Sequence, residues 1–393
     1  MGEEEIAQAA EAMREELVAW RRHLHRHPEL SFQEEETAGW VAERLRSFGL
    51  EPRRPWGTAV VADLDGGRGG RTVAIRADMD ALPVEEATGL EFASERPGVM
   101  HACGHDGHTA ILLGVARLLA TTRARWPGRV RFLFQPAEEK IPGGALGLIE
   151  HGALDGVDAV VGLHLWSNLP VGKAGLNEGA LMANADDFRI VVHGRGGHGS
   201  APHQAVDALW VGAQIVTGLQ GMMGRAVDPL QPAVLTVGTF HAGFNFNVIA
   251  PAAEMTGTVR TFDEVTREEV IRRMRALVEH LCAAAGASYD FEYNRGYPAL
   301  TNHPQEARVL AEAARSVLGA ENVDSRYPPN MGGEDFAYYL QRRPGAFLLL
   351  GAGPREGAGA PHHSPQFTID EEALPLGVRI LSGAALRLLE ARD

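Results

Sequence analysis

Cys103, His105, Asp106 and His108 crowd into the segment MHACGHDGHT at 100–109. Asp78 and Asp80, the adjacent pair Glu138–Glu139, His164, and the pair His362–His363 lie far from it in the chain. Thiolate, imidazole and carboxylate together suit Zn²⁺ or a neighbouring transition metal, whereas Ca²⁺ and Mg²⁺ want oxygen throughout. Cys103-x-His105 offers two ligands on one tight loop. In extended chain, Glu138 and Glu139 point in different directions, so one can bind metal while the other carries protons. A carboxylate next to a metal-polarised water is what hydrolysis needs. Taken singly, each group has a plain structural role. A strand-end histidine is usually a hydrogen-bonded core or surface residue, and a lone cysteine a small buried hydrophobe. The chemistry rests on their coincidence.

The elements that must position these groups follow from periodicity. Strands are predicted over 58–64, 72–77, 130–135, 159–165 and 346–350, with helices over 34–48, 109–120, 305–318 and 371–389. Asp78 and Asp80 follow one strand, Glu138 and Glu139 another, His164 sits at the end of a third, and His362 and His363 lie beyond a fourth. In open α/β sheets ligands bind in the crevice outside the carboxyl ends of the strands, so separate segments aim ligand-type groups at one place. Between 185 and 293 the rhythm changes to β-α-β-β-α-β, the split-βαβ pattern of a ferredoxin-like sandwich. Its second helix is expected to open on a capping box of Thr266 and Glu269. The expected class is α/β. A metal-binding catalytic domain, 1–184 with 294–393, carries a central, mostly parallel sheet flanked by helices. An inserted α+β domain, 185–293, interrupts it.

The bulk properties agree. A chain of 393 residues exceeds what one core usually supports. A net charge of −14 repels phosphate backbones and argues against nucleic acid. No apolar run is long enough to span a membrane. Two cysteines, Cys103 and Cys282, make no disulfide framework, and the Glu-rich N-terminus reads as one surface helix rather than a signal peptide. A cytoplasmic protein is expected.

Some patterns are set aside. GRGGHG at 194–199 satisfies a dinucleotide fingerprint, but Pro202 and His203 stand where a helix should open. His23, His25 and His27 are assigned to the first helix and its exit, without chemistry, and Cys282 to a core face. Two other functions compete: a thiol hydrolase with Cys103 as nucleophile, which leaves Glu138, Glu139, His164 and His363 unexplained, and a non-catalytic metal-binding scaffold.

The motifs MHACGHDGHT, FQPAEE, GLHLW, GRGGHGSAPH, MGGEDFAYY and HHSPQF, with RRHLHRHPELSFQE and RADMDALP, resemble those of the di-metal aminoacylase/carboxypeptidase family, in particular its hippurate-hydrolase and auxin-conjugate-hydrolase branch. The motifs run nearly the length of the chain in the family's order. The resemblance implies hydrolysis of the amide bond of N-acyl amino acids (N-acetyl, benzoyl or similar) or short peptides. It implies two divalent metals, Zn²⁺ first, with Mn²⁺, Co²⁺ or Ni²⁺ as alternatives, and a homodimer or dimer-based homo-oligomer whose inserted domain is both lid and dimerisation domain. Cys103 would bridge the metals, His105 and His164 would hold one, and Glu139 and His363 the other. Glu138 would be the general base. His198 would bind the oxyanion, and Asn247 and Arg260 the substrate. Asp78 and Asp106 would support the ligands from behind. Two departures stand out: Arg76-Ala77-Asp78 replaces the His-x-Asp of other branches, and Ala250 is extra in GFNFNVIAP.

Overall fold

The apolar runs of the first and last thirds become strands of one sheet in a computed structural model, which describes residues 2–357 and 359–391. The chain divides into two compact units, Met1–Leu181 with Thr301–Pro328 and Asp335–Asp393, and Met182–Leu300 with Pro329–Glu334.

In the first unit the N-terminal segment forms two helices rather than one, α1 (Glu3–Ala12) and α2 (Arg14–Arg26), with the break at Met13. Then come α3 (Glu35–Ser47), β1 (Val60–Asp65), β2 (Arg68–Asp78), α4 (His105–Thr122), β3 (Pro127–Gln135) and β4 (Ala159–Pro170). The sheet runs β1, β3, β2, β4, Gly345–Gly353, Ala174–Gly175, Val323–Asp324. β2 is parallel to β3 and β4, and Gly345–Gly353 is parallel to β4. β1 and Ala174–Gly175 run antiparallel to their neighbours β3 and Gly345–Gly353. Side chains alternate across this sheet. Val161, Leu163 and Leu165 of β4, with Ala346, Leu348 and Leu350, join a core shared with α4 and the last helix, Ala373–Glu390. Phe347 turns to the opposite face and packs on Phe336. Buried on nearly all sides, α4 is apolar around most of its circumference.

The periodicity starts α4 at Thr109, but the helix opens at His105. Gly104, in the left-handed region at φ 92°, turns the chain sharply between Cys103 and His105, a conformation only glycine takes without strain. Asp106 in the first turn suits the positive end of the helix dipole. Histidine, aspartate and glycine carry weak helix propensity, which is why pattern alone misses this turn.

The second unit holds a four-stranded antiparallel sheet in the order Ser288–Asn294, Asp186–His193, Ala252–Arg260, Val234–Ala242. Helices Ala208–Ala226 and Glu264–Ala285 close over a core that includes Phe188, Ile190, Val192, Val211, Ile215, Met274, Val278 and Cys282. The cap of the second helix is Asp263, not Thr266: its carboxylate accepts from the Thr266 amide at 2.8 Å and hydroxyl at 2.7 Å. Glu269 instead pairs with Arg272 and Arg273. The unit also takes in 294–300 and 329–334, which periodicity assigns to the first domain. Hydrogen bonds from Ala185 N to Tyr297 O (3.0 Å) and from Ala183 N to Asn330 O (3.1 Å) tie them in. Among the described residues no helix is long and apolar enough to cross a membrane.

Candidate metal and catalytic site

In the first unit, Asp78 ends β2, Glu138 and Glu139 follow β3, His164 lies on β4, and the α4 turn brings Cys103, His105 and His108. The ligand atoms of Cys103, His105 and Glu139 lie within 4.8 Å of one another, and so do those of Cys103, His164 and His362. Cys103 is common to both triads. His363 Nε2 lies 3.2 Å from Glu139 Oε1. The grouping thus sets His105 with Glu139, where the resemblance pairs it with His164.

Hydrogen bonds sort the histidines by which nitrogen carries the proton. A carbonyl accepts only, so a ring nitrogen beside one is the N–H. His105 Nδ1 lies 2.9 Å from the Asp80 carbonyl, and His164 Nδ1 lies 2.8 Å from the Leu165 carbonyl. In the neutral ring, each then presents a bare Nε2 lone pair. His105 Nε2 has no hydrogen-bond partner, and His164 Nε2 faces Cys103 Sγ at 3.5 Å. A backbone amide donates only, so a ring nitrogen that receives one is the lone pair. His108 Nε2 accepts from Leu165 N at 2.8 Å, and His362 Nε2 from Ser167 N at 3.2 Å. Their protons therefore sit on Nδ1, directed at Asp78 Oδ1 (2.6 Å) and Cys103 Sγ (3.6 Å). The ladder between β2 and β4 ends at Arg76–Gly162, so β4 has later amides to give to these rings. His108 belongs to a cluster with Asp78 and His105 that has cation-binding geometry, but both its nitrogens are engaged. The same holds for His362.

Carboxylates hold the ligands from behind. Asp78 pairs with His108 through Oδ1 and with Arg76 through Oδ2 at 2.6 Å. Arg76 continues to Asp335 at 2.8 Å. Asp80 accepts from the amides of Glu138 and Glu139, both at 3.0 Å, and from Ser31 Oγ at 2.7 Å. Glu34 accepts from Ala137 N at 2.9 Å, Phe32 N at 3.0 Å and Thr58 Oγ1 at 2.6 Å. Burial, and then the Asp80 charge, raise Glu34 to about 7 despite these donors. Reading the sequence grouped Asp80 and His108 with the ligand-type residues but gave them no role, and it missed Glu34 and Arg76 as site residues. Glu34 carried no signal of its link to the site, because Ala137 lies 103 positions away.

Asp106 is directed away from the ligand histidines. Its carboxylate accepts from Arg21 Nε at 2.8 Å and Gly107 N at 2.9 Å and pairs with His25 Nδ1 at 2.8 Å. Asp80 and the Leu165 carbonyl orient the rings instead. His25 is no helix-surface residue: it is fully buried between Asp106 and Glu86.

The electrostatics fit a cation pair. Burial disfavours charge on His105, yet Asp78, Asp80 and Glu139 overcome it and lift the ring to about 10. Burial, followed by the charges of Glu139 and Glu138, pushes the Cys103 thiol well up. Burial also drives His164 well down. Glu139 Oε1 is buried and makes no well-directed hydrogen bond, though His363 and His105 stand near it. With no cation bound, a second proton on His105 offsets part of the charge of these buried carboxylates; a divalent cation at Nε2 would take the place of that proton and would favour the thiolate of Cys103. The donors suit Zn²⁺ and neighbouring metals.

The remaining candidates lie in the second unit. His198 is exposed, and its Nδ1 accepts from Ser200 N at 3.1 Å, which leaves the neutral ring's proton on Nε2. Strand Val248–Ile249 pairs with Gly197–His198, and the Asn247 carbonyl accepts from Gly199 N at 2.8 Å, so Asn247 neighbours His198 despite the extra Ala250. Arg260 is half-buried, with its guanidinium on Thr258 Oγ1 at 2.6 Å.

A thiol, imidazoles and carboxylates converging at the carboxyl end of a parallel sheet define a metal-dependent hydrolase. Residues 74–387 match peptidase family M20/M25/M40, and the chain belongs to that family. It is 53% identical over 306 residues to an N-acyl-L-amino acid amidohydrolase of Geobacillus stearothermophilus, covering 78% of this chain and 83% of that one. It is 42% identical to thermostable carboxypeptidase 1 of Saccharolobus solfataricus, over 92% of each chain. The crystal structure of a dinuclear metal-binding M20 peptidase from Bacillus subtilis superposes with a TM-score of 0.84 at 39% identity, over 97% of this chain and all of the other.

Proposed function

We propose that the protein hydrolyses the amide bond of N-acyl amino acids, with short peptides as the neighbouring substrate class, using two divalent metals. The observation that carries this is Cys103 shared between two triads, with the bare Nε2 atoms of His105 and His164 on either side and the Glu138–Glu139 turn beside them. The amidohydrolase and carboxypeptidase relatives support the substrate classes.

Cys103 would serve both metals, His105 and Glu139 one, and His164 the other. His363 joins Glu139 in preference to His362, whose nitrogens are engaged by Ser167 and Cys103. Metals held there would supply Lewis-acid chemistry, polarising the amide carbonyl and lowering the pKa of a water toward neutral pH. Glu138, only 6% exposed, takes the proton of that water and returns it to the departing nitrogen. His198 donates Nε2–H to the developing oxyanion. Asn247 and Arg260 bind the substrate, Arg260 its carboxylate. The second unit serves as lid and dimerisation domain of a cytoplasmic homodimer.

The test is metal analysis with a hydrolysis screen over N-acetyl and N-benzoyl amino acids and dipeptides. Two metals per chain, and activity lost in chelator and restored by Zn²⁺, Mn²⁺ or Co²⁺, are expected. Activity that survives chelation but not a thiol reagent would instead make Cys103 a nucleophile. A Cys103 thiol pushed upward by burial disfavours that outcome. His198→Ala should lower kcat about 10²–10³-fold with metal content intact; loss of metal in that variant would make His198 a ligand.

A further inference from the structure

Three non-glycine residues among those described have positive φ: Phe32 (66°), Ala137 (54°) and His363 (65°). Side chains with a Cβ rarely adopt this conformation, and it persists only where surroundings impose it. Two of the three amides, Phe32 N and Ala137 N, donate to the same atom, Glu34 Oε1. Ala137 immediately precedes Glu138. The next two amides, of Glu138 and Glu139, turn to the two oxygens of Asp80. Consecutive N–H groups converging on anions through a left-handed residue form a nest, here occupied by two buried carboxylates of the chain itself.

We propose that Glu34 is a positioning residue for the general base: by gripping the Ala137 amide it holds the left-handed turn that directs the Glu138 side chain. The proposal rests on the reading of Glu138 as base. Asp80 fixes the amides of Glu138 and Glu139, but nothing on Asp80 constrains the φ of Ala137. That constraint comes from Glu34 Oε1, which Thr58 Oγ1 steadies through the other oxygen. Without the carboxylate the Ala137 amide is released and alanine relaxes toward negative φ, working against the two bonds on the following peptide, Glu138 N to Asp80 at 3.0 Å and Gly144 N to the Ala137 carbonyl at 3.1 Å, and so shifting the turn that aims Glu138. Glycine at 137 would tolerate the left-handed conformation without help.

The experiment is a double-mutant cycle on the full-length, metal-loaded enzyme with Glu34→Ala, Ala137→Gly and both, assayed on an N-acyl amino acid. Glu34→Ala should lower kcat about 30-fold with KM changed little and two metals still bound. In the Ala137→Gly background the same change should cost about tenfold less, a coupling of the size seen between contacting residues. The metal-free proteins should show coupling of the same sign in their thermal midpoints, a readout independent of activity. Phe32→Gly, at the other left-handed residue on that oxygen, should not rescue kcat. Equal losses in both backgrounds, rescue by Phe32→Gly, or a lowered midpoint with unchanged kcat would each overturn the proposal. Near-normal kcat in Glu138→Gln would instead remove the base and leave the coupling in midpoint standing, so the two failures are distinguishable.

Discussion

Both units bury charge, but they do different things with it. In the second unit Asp186 is fully buried and satisfied on every side: Arg267 Nε at 2.8 Å, Tyr293 Oη at 2.7 Å and Gly296 N at 3.0 Å. The network closes on itself and ties strand, helix and the chain's exit together. In the first unit the buried groups do not close. Arg76, Asp78, Asp80 and Glu34 are satisfied, yet the chain of bonds ends at ring nitrogens and a carboxylate oxygen left facing each other. A buried network left incomplete is costly to stability, so it marks a place built for something else, here a cation. One network is architecture; the other is a holder.

The largest effect should come from breaking the holder at its reacting group. Glu138→Ala should lower kcat about 10²–10⁴-fold while both metals remain bound; near-normal kcat, measured beside metal content, would end the comparison. Next, breaking the closed network should cost stability and leave chemistry alone. Asp186→Ala should destabilise by about 3–5 kcal/mol because Arg267 loses its buried partner and keeps only the exposed Glu264 at 2.7 Å, with metal stoichiometry unchanged by elemental analysis. A variant of normal stability would show the pair to be dispensable. Third, His108→Ala removes an engaged ring behind the site rather than a ligand, so metal affinity should fall about 10–100-fold with stoichiometry still two at saturation. Loss of one metal outright would make His108 a ligand and overturn the tautomer assignment.

The smallest effect concerns His25. Burial opposes its charge, but Asp106 and then Glu86 raise it above the ordinary value of 6.5. A group raised in the folded state stabilises fully below its unfolded value and loses that contribution as pH rises through the folded value. Wild type should therefore exceed His25→Gln by about 1–3 kcal/mol below pH 6.5, with the gap closing toward alkaline pH. Denaturant midpoints across that range check it, and a pH-independent gap would mean that His25 acts by packing.

How much of this was legible in the sequence depends on the range of the interaction. The alternation in VRFLFQ and AVVGLHL places the strands, since one sheet face must be apolar, and the strand ends then locate Glu138, Glu139 and His164. Metal-type residues concentrate in MHACGHDGHT because a tight loop can deliver several ligands at once. The break at Met13 and the early start of α4 were not legible, because weak local propensity is overridden there by burial. The role of Asp106 was misplaced for a related reason: its neighbours in sequence suggest a ligand histidine, but the fold turns it to α2.

By itself, then, the sequence determined which side chains could hold a cation and roughly where each sits on the sheet, because residue type and periodicity are local properties. Only the tertiary structure decided which nitrogen of each histidine carries its proton, that Leu165 and Ser167 occupy His108 and His362, and that Glu34 grips Ala137. Apart from His164, whose ring bonds the carbonyl of the next residue, those decisions belong to hydrogen bonds between residues tens to hundreds of positions apart, and nothing in either partner's local sequence records the other.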